Sequence, residues 1–139
     1  MRLRIDEQMK IDHIGIATEK ASDAAVWQQL LRACDPHVEE VADQGVRVTM
    51  LPFGESRIEL LEPLHPDTPV GKFLAKRGPG IHHIAVRVEN IREELERLKS
   101  NGVRLIDEAP RLGAEGCLVA FIHPSSANGV LLELVQHQQ

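Results

Sequence analysis

The second half of this chain repeats the first, and that repeat limits the possible folds more than any other feature. Asp12-His13-Ile14-Gly15-Ile16-Ala17 near the start returns as His82-His83-Ile84-Ala85-Val86, an offset of 83 − 13 = 70 residues in a chain of 139. Ile58-Glu59-Leu60-Leu61 returns as Leu132-Glu133-Leu134-Val135, with 133 − 59 = 74. Each half therefore carries a histidine in an early strand and a glutamate in a later one. The halves are predicted to be two copies of one supersecondary module that share a core.

The order of elements within each half agrees. Met9 to Ala17 alternates as a strand, with His13, Gly15 and Ala17 on one face and Ile14 and Ile16 on the other. Ser22 to Cys34 turns helical, with Ala24, Trp27, Leu30 and Leu31 at helical spacing, Ser22 as N-cap and Asp35-Pro36 as the stop. Strands are expected at Val38 to Val41, Val46 to Leu51 and Arg57 to Leu61, joined by Asp43-Gln44-Gly45 and Phe53-Gly54-Glu55-Ser56. In the second half the His83 strand leads to a helix that opens on a capping box, Asn90 with Glu93, and carries Ile91, Leu95 and Leu98 on one stripe. It stops at Asn101-Gly102, and strands are expected at Val103 to Ile106, Cys117 to Ile122 and Val130 to Gln136. The loops Arg111 to Gly116 and His123 to Gly129 separate these strands, and the first is flexible enough to close over a ligand. Between the halves, Asp67-Thr68-Pro69 opens a short helix, Val70 to Arg77, that ends at Gly78-Pro79.

The fold class read from this order is α+β, two tandem βαβββ modules forming a curved mixed sheet. The modules cover residues 9–64 and 80–137 of a single domain, 9–139, with a connecting helical segment at 65–79. Residues 1–8 are polar and aperiodic and read as a disordered tail, with Met9 an alternative start of translation.

Composition excludes several function classes. Lys plus Arg total 16 against 21 for Asp plus Glu, a net charge of −5, and no basic tract could follow a phosphate backbone, so nucleic acid is not an expected partner. No apolar run approaches the length of a membrane span and no signal peptide precedes the first strand, so a soluble, cytoplasmic protein without a membrane partner is expected. Cys34 and Cys117 lack a CxxC partner and read as buried free thiols acting as small hydrophobes.

The duplicated residues carry the chemistry. Around each histidine the same-face neighbours are small or long and polar (Gly15 and Ala17; Ala85 and Arg87), while the opposite face is aliphatic and should meet the helices. Glu59 and Glu133 each sit between aliphatic neighbours in strands that otherwise look buried, where an unpaired carboxylate costs several kcal/mol. One strand histidine alone is most often a satisfied core or surface residue, and one strand glutamate usually faces solvent. Four such residues at duplicated positions point instead to a shared site. If the halves pair about a pseudo-twofold axis, His13, Glu59, His83 and Glu133 converge, and two imidazoles with two carboxylates neutralise a divalent cation while leaving positions open for substrate. His82 has the opposite parity and reads as pointing away or as an outer partner. Glu62, His37, His65, His123 and His137 read as solvated. Lys72, Lys76 and Arg77 form either a solvated basic face or a grip on substrate phosphates.

At these residues the sequence resembles the vicinal oxygen chelate (glyoxalase/bleomycin resistance/dioxygenase) superfamily, and within it the methylmalonyl-CoA epimerases. The resemblance runs through Asp12 to Ala17, Ile58 to Leu64, Pro69 to Leu74, Gly80 to Ala85, Glu108 to Ala114, His123-Pro124 and Gly129 to Gln136, nearly the whole chain. It implies a glyoxalase-like fold, metal ligation by His13, Glu59, His83 and Glu133, and a divalent ion such as Co, Mn, Ni or Zn. It also implies epimerisation of methylmalonyl-CoA, as in propionate metabolism, with a CoA thioester as partner and a homodimeric assembly. Glu133 and Glu59 are the candidate acid-base groups, because some members carry a further glutamate after the Gln-Gly turn where this chain has Val48. The competing readings are a glyoxalase I (lactoylglutathione lyase), an extradiol dioxygenase, disfavoured by the fourth ligand, and a non-enzymatic drug-binding protein of the same fold.

Overall fold

The computed structural model describes residues 9–20, 22–32 and 35–138. The readings made for the tail at 1–8 and for Cys34 lie outside the described residues. Eight strands join in one curled, mixed sheet in the order β2-β3-β4-β1-β5-β8-β7-β6. Their spans are β1 Lys10–Ala17, β2 His37–Val41, β3 Val46–Phe53, β4 Ser56–Pro63, β5 Gly80–Arg87, β6 Arg111–Leu112, β7 Leu118–Ile122 and β8 Leu132–Gln136. Three helices accompany them: α1 Asp23–Leu31, α2 Pro69–Arg77 and α3 Ile91–Ser100. Among the described residues no helix is long and apolar enough to cross a membrane.

The two modules meet at the antiparallel β1–β5 pair, and each then adds its last strand in parallel, β4 beside β1 and β8 beside β5. The aliphatic face of each His strand meets a helix, as alternation requires. Ile14 and Ile16 pack with Leu51, Ile58 and Leu60 against Ala24, Trp27 and Leu31 of α1. Val86 and Val88 pack with Ala120, Ile122 and Leu134 against Ile91, Leu95 and Leu98 of α3. Below the opposite face, α2 sets Val70, Phe73 and Leu74 on Ala17, Val48, Met50 and Leu61.

The helix ends follow the sequence signals in two cases out of three. The Asn90 side chain accepts from Glu93 N at 3.1 Å, and Thr68 Oγ1 accepts from Gly71 N at 3.1 Å with Pro69 in the first turn. Ser22 departs from its expected role: its backbone is already helical at φ −63°, ψ −17°, and its side chain makes no cap bond.

One strand is corrected. Residues 103–106 do not form a strand and contribute only an isolated Leu105–Ile122 bridge, while Arg111–Leu112 supplies the outer strand instead. The reason lies at Asp107, whose carboxylate accepts from Phe121 N at 2.9 Å while Ile106 N and Asp107 N both donate to Phe121 O. A side chain and a shared carbonyl thus end the ladder where a regular strand would continue it.

Register then builds two rows across the sheet. Glu59 on β4 lies beside Gly15 on β1, which lies beside His83 on β5; His13 on β1 lies beside Ala85 on β5, which lies beside Glu133 on β8. Each row is a carboxylate and an imidazole with a small residue between them. The small residue is required by space, because a Cβ at Gly15 would stand 2.2 Å from His83 Cε1. Gly15→Ala is therefore expected to displace the His83 ring and to lower stability by about 1–3 kcal/mol, the usual cost of overpacking, as measured by urea unfolding with an unchanged m-value.

Candidate metal centre

All four duplicated residues are buried, with His13 at 5%, Glu59 at 4%, His83 at 4% and Glu133 at 3% exposure, and all four line one small cavity of about 20 Å³. That volume suits a single ion or water. His13 Nε2, His83 Nε2 and Glu133 Oε1 form a nearly equilateral triangle, with edges of 3.0 Å between the nitrogens and 3.1 and 3.0 Å from the oxygen to each. Despite those distances Glu133 Oε1 accepts no hydrogen bond from either ring. The two Nε2 atoms lie within hydrogen-bonding distance of each other, and three potential ligand atoms crowded this closely are what a cation needs, since neighbouring ligands about 2.1 Å from an octahedral metal are themselves about 3.0 Å apart. His13, His83 and Glu133 could hold a metal ion, and the donor set suits a borderline first-row divalent ion.

Glu59 stands differently. Its Oε2 lies 3.2 Å from His13 Nδ1, on the far edge of the ring from Glu133, and accepts from Arg57 Nε at 2.8 Å. The structure thus gathers three of the four expected ligands at one point and sets the fourth against the other nitrogen of His13.

Burial and charge divide the two carboxylates. Burial pushes Glu59 up, and the charges of His13 and Arg57 only partly offset this, so its affinity for a proton is raised. Burial acts the same way on Glu133, but His83 and His13 outweigh it and hold the carboxyl down at about 2. Burial would lower His13, yet the Asp12 and Glu133 carboxylates and the Glu59 charge raise it to about 10. The cluster therefore draws positive charge to its centre.

Several residues here escaped the sequence reading. Asp12 Oδ2 is 2.6 Å from His13 Nδ1, and Asp12 Oδ1 is 2.6 Å from His137 Nε2, so His137 is a half-buried partner of the site rather than a solvated tail residue. Burial opposes the charge on Asp12, but its bonds to His13 and His137 keep the carboxyl well below the usual range. Arg57 bridges Glu59 to Glu115, and Glu115 N donates to the Glu39 carboxylate at 3.1 Å. The loop read as flexible is thereby tied over the cavity, with Ala114 and Cys117 among its lining residues. The sequence signal for Arg57 was its position two residues before Glu59, on the same strand face. His82 sits beside His83, their Nδ1 atoms 2.9 Å apart; burial, then the His83 charge, lowers it to about 4, so it stays neutral. Glu62 is half-buried and pairs with Arg47, and Cys117 is a buried free thiol that burial, then the Asp12 charge, pushes up to about 11.

Two larger cavities lie nearby, the first of them sharing His83 with the cluster. One of about 340 Å³ runs from His83 and Phe121 to Leu61, Val70 and His82, with Arg111 and Asp43 among its lining. The other, of about 310 Å³, shares Pro69 and His82 with the first and brings together Lys72, Lys76 and Arg77 of α2.

Comparison with known proteins agrees with this architecture. Residues 12–121 match the family described as the Glyoxalase/Bleomycin resistance protein/Dioxygenase superfamily. The uncharacterized protein YqjC of Bacillus subtilis is 43% identical over 128 residues, covering 91% of both chains. The mitochondrial methylmalonyl-CoA epimerase of Homo sapiens is 37% identical over 131 residues, covering 91% of this chain and 73% of its own. A solved methylmalonyl-CoA epimerase in complex with methylmalonyl-CoA and ammonium superposes with a TM-score of 0.88 at 36% identity, over 94% of this chain and 95% of that one. The chain belongs to the glyoxalase/bleomycin resistance protein/dioxygenase superfamily and, within it, to the family that contains the methylmalonyl-CoA epimerases.

Proposed function

We propose that this chain is a metal-dependent epimerase that interconverts (2R)- and (2S)-methylmalonyl-CoA, with His13, Glu59, His83 and Glu133 as the metal-binding set. The observation that carries this reading is a series of three neighbouring cavities that share lining residues. His83 lines both the ion-sized cavity and the 340 Å³ one, and His82 and Pro69 line both that and the basic one. An acyl group at the cluster would send its tail through the apolar space to Lys72, Lys76 and Arg77, cations suited to the phosphates of CoA. Such a substrate places the reaction in propionate metabolism. Exposed edge strands, with Val38 at 54% and Leu112 at 59%, are surfaces that a homodimer would cover, and the proposed working form is a homodimer in the cytoplasm.

The chemistry follows from the two carboxylates. The C–H bond between thioester and carboxylate is only moderately acidic, so its electron pair must be received by the thioester carbonyl oxygen as the proton leaves. A divalent cation supplies Lewis acidity toward that oxygen. Glu59 and Glu133 flank opposite edges of the His13 ring and serve opposite faces of the α-carbon: one takes the proton, the other returns one to the far face. Glu59, raised by burial, holds a proton more strongly, and Glu133, kept ionised by the histidines, is the weaker base of the two. Val48 gives the cavity an aliphatic side chain, and the third carboxylate in its lining, Asp12, is engaged by His13 and His137.

Incubation with either epimer in deuterated water should give α-deuterium incorporation that EDTA abolishes and a divalent ion restores. Turnover of a glutathione hemithioacetal without exchange into methylmalonyl-CoA would reassign the chain to glyoxalase I chemistry.

Glu133→Ala is expected to lower kcat by at least about 100-fold. In Glu59→Gln and Glu133→Gln the residual exchange should favour opposite epimers, and equal loss for both epimers in both variants would remove the two-base assignment.

Charge reversal of Lys72 and Lys76 together should raise KM for the CoA ester about tenfold or more with little change in kcat, because the phosphates bind alike in ground and transition states. An unchanged KM would return these lysines to a solvated face.

A further inference from the structure

Each histidine strand carries one extra residue at the β1–β5 interface, and it is the residue that precedes the histidine. In β1 the pairing steps from Ile11–Val86 to His13–Ala85 and passes over Asp12; in β5 it steps from Ile16–Ile81 to Gly15–His83 and passes over His82. These two positions are themselves related by the repeat, 82 − 12 = 70. A bulge lets two consecutive side chains lean to the same side of a sheet, which regular alternation forbids. Asp12 Oδ2 consequently reaches His13 Nδ1 at 2.6 Å, and His82 Nδ1 reaches His83 Nδ1 at 2.9 Å. In both modules the extra residue meets the ring nitrogen other than the one beside Glu133.

The two partners are unequal. The Asp12 carboxylate is 7% exposed and held at both ends, by His13 through Oδ2 and by His137 Nε2 through Oδ1 at 2.6 Å. Glu59 approaches the same Nδ1 only to 3.2 Å and is engaged by Arg57. In the neutral form of the ring that metal binding requires, the proton on Nδ1 is assigned to the Asp12 bond, because an ionised carboxylate only accepts, and the Nε2 lone pair is the one His13 presents toward His83 and Glu133.

The geometry points to Asp12, clamped by His137, as the positioning residue of this site: it fixes the tautomer and ring orientation in which His13 offers Nε2, with His82 as the looser counterpart behind His83. This rests on the metal reading of the cluster. Partners in this position commonly set metal affinity by about 10–100-fold.

The test is a titration of the metal-stripped full chain with Co²⁺ alone, followed by visible absorption against a competing chelator, with thermal unfolding of the metal-free chain alongside. Asp12→Ala should weaken Co²⁺ binding about 10–100-fold. Asp12→Asn, which keeps an acceptor oxygen on Nδ1, should recover part of that loss. His137→Ala and His82→Ala should each have a smaller effect than Asp12→Ala. If folded Asp12→Ala binds Co²⁺ within about twofold of the unaltered chain, the positioning role is overturned even where the unfolding temperature has dropped, because a merely structural contact moves Tm and leaves Kd alone. Should Asp12→Ala fail to fold, Asp12→Asn and His137→Ala decide by the same comparison, and Kd values unchanged in both overturn the role. An unaltered chain that takes up no Co²⁺ overturns the metal reading itself, a result distinct from a normal Kd in the variants.

Discussion

The antiparallel pairing of β1 with β5 is the interaction on which the rest of this structure depends. It is where the two modules become one sheet, and it sets His13 beside Ala85 and Gly15 beside His83. Because side chains alternate with a period of two, a slip of one residue in that pairing would put the two imidazoles on opposite faces of the sheet and turn one aliphatic row toward the cavity. The parallel partners depend on the same register, since Glu59 is brought in beside Gly15 and Glu133 beside Ala85. The aliphatic faces packed on α1 and α3 give the register its energy, and the site takes its geometry from it.

Burying two carboxylates, an aspartate and two imidazoles within one small volume is costly unless charges and hydrogen bonds compensate. Here the compensation is specific to each group. Glu133 is held by two histidines, Glu59 by Arg57 and His13, and Asp12 by His13 and His137. The outer layer extends through Arg57 to Glu115 and on to Glu39, so it joins β2 of the first module to the loop of the second. Val48, Val119, Val135 and Cys117 line the cavity with apolar groups, which strengthens the buried contacts of Asp12, Glu59 and Glu133.

Much of this was legible in the sequence because it follows from period and repetition. The duplicated strands, the caps at Thr68 and Asn90, and the four duplicated histidines and glutamates are each local patterns or simple echoes. What the sequence hid were departures from period. The bulges at Asp12 and His82 leave no mark in alternation, so His82 read as either pointing away or an outer partner, of which the structure shows the second, and Asp12 was passed over, although the two occupy the same place in the repeat. His137 was hidden because its partner is 125 residues distant in sequence. Residues 103–106 have the apolar pattern of a strand, yet the Asp107 side chain, whose role depends on where Phe121 lies, ends the ladder there.

A duplicated fold solves one half of an epimerisation and complicates the other. Two carboxylates related by a pseudo-twofold axis offer one proton handler for each face of a carbon placed between them, which a single module could not do. The same symmetry would, by itself, accept a long substrate tail in either of two directions. Among the described residues α2 is the one α-helix without a copy in the other module, and on the proposed reading it breaks that degeneracy. The connecting segment has no copy in the second module, and its helix α2 carries Thr68, Pro69 and Val70 against the apolar cavity and Lys72, Lys76 and Arg77 into the basic one. Differences inside the repeat act in the same sense: Arg57 stands two residues before Glu59, where Leu131 stands before Glu133, and Asp12 occupies the place that His82 takes beside the second histidine. On the proposed reading, the repeated residues perform the proton transfer, and the unrepeated ones determine which way the substrate lies while they do so.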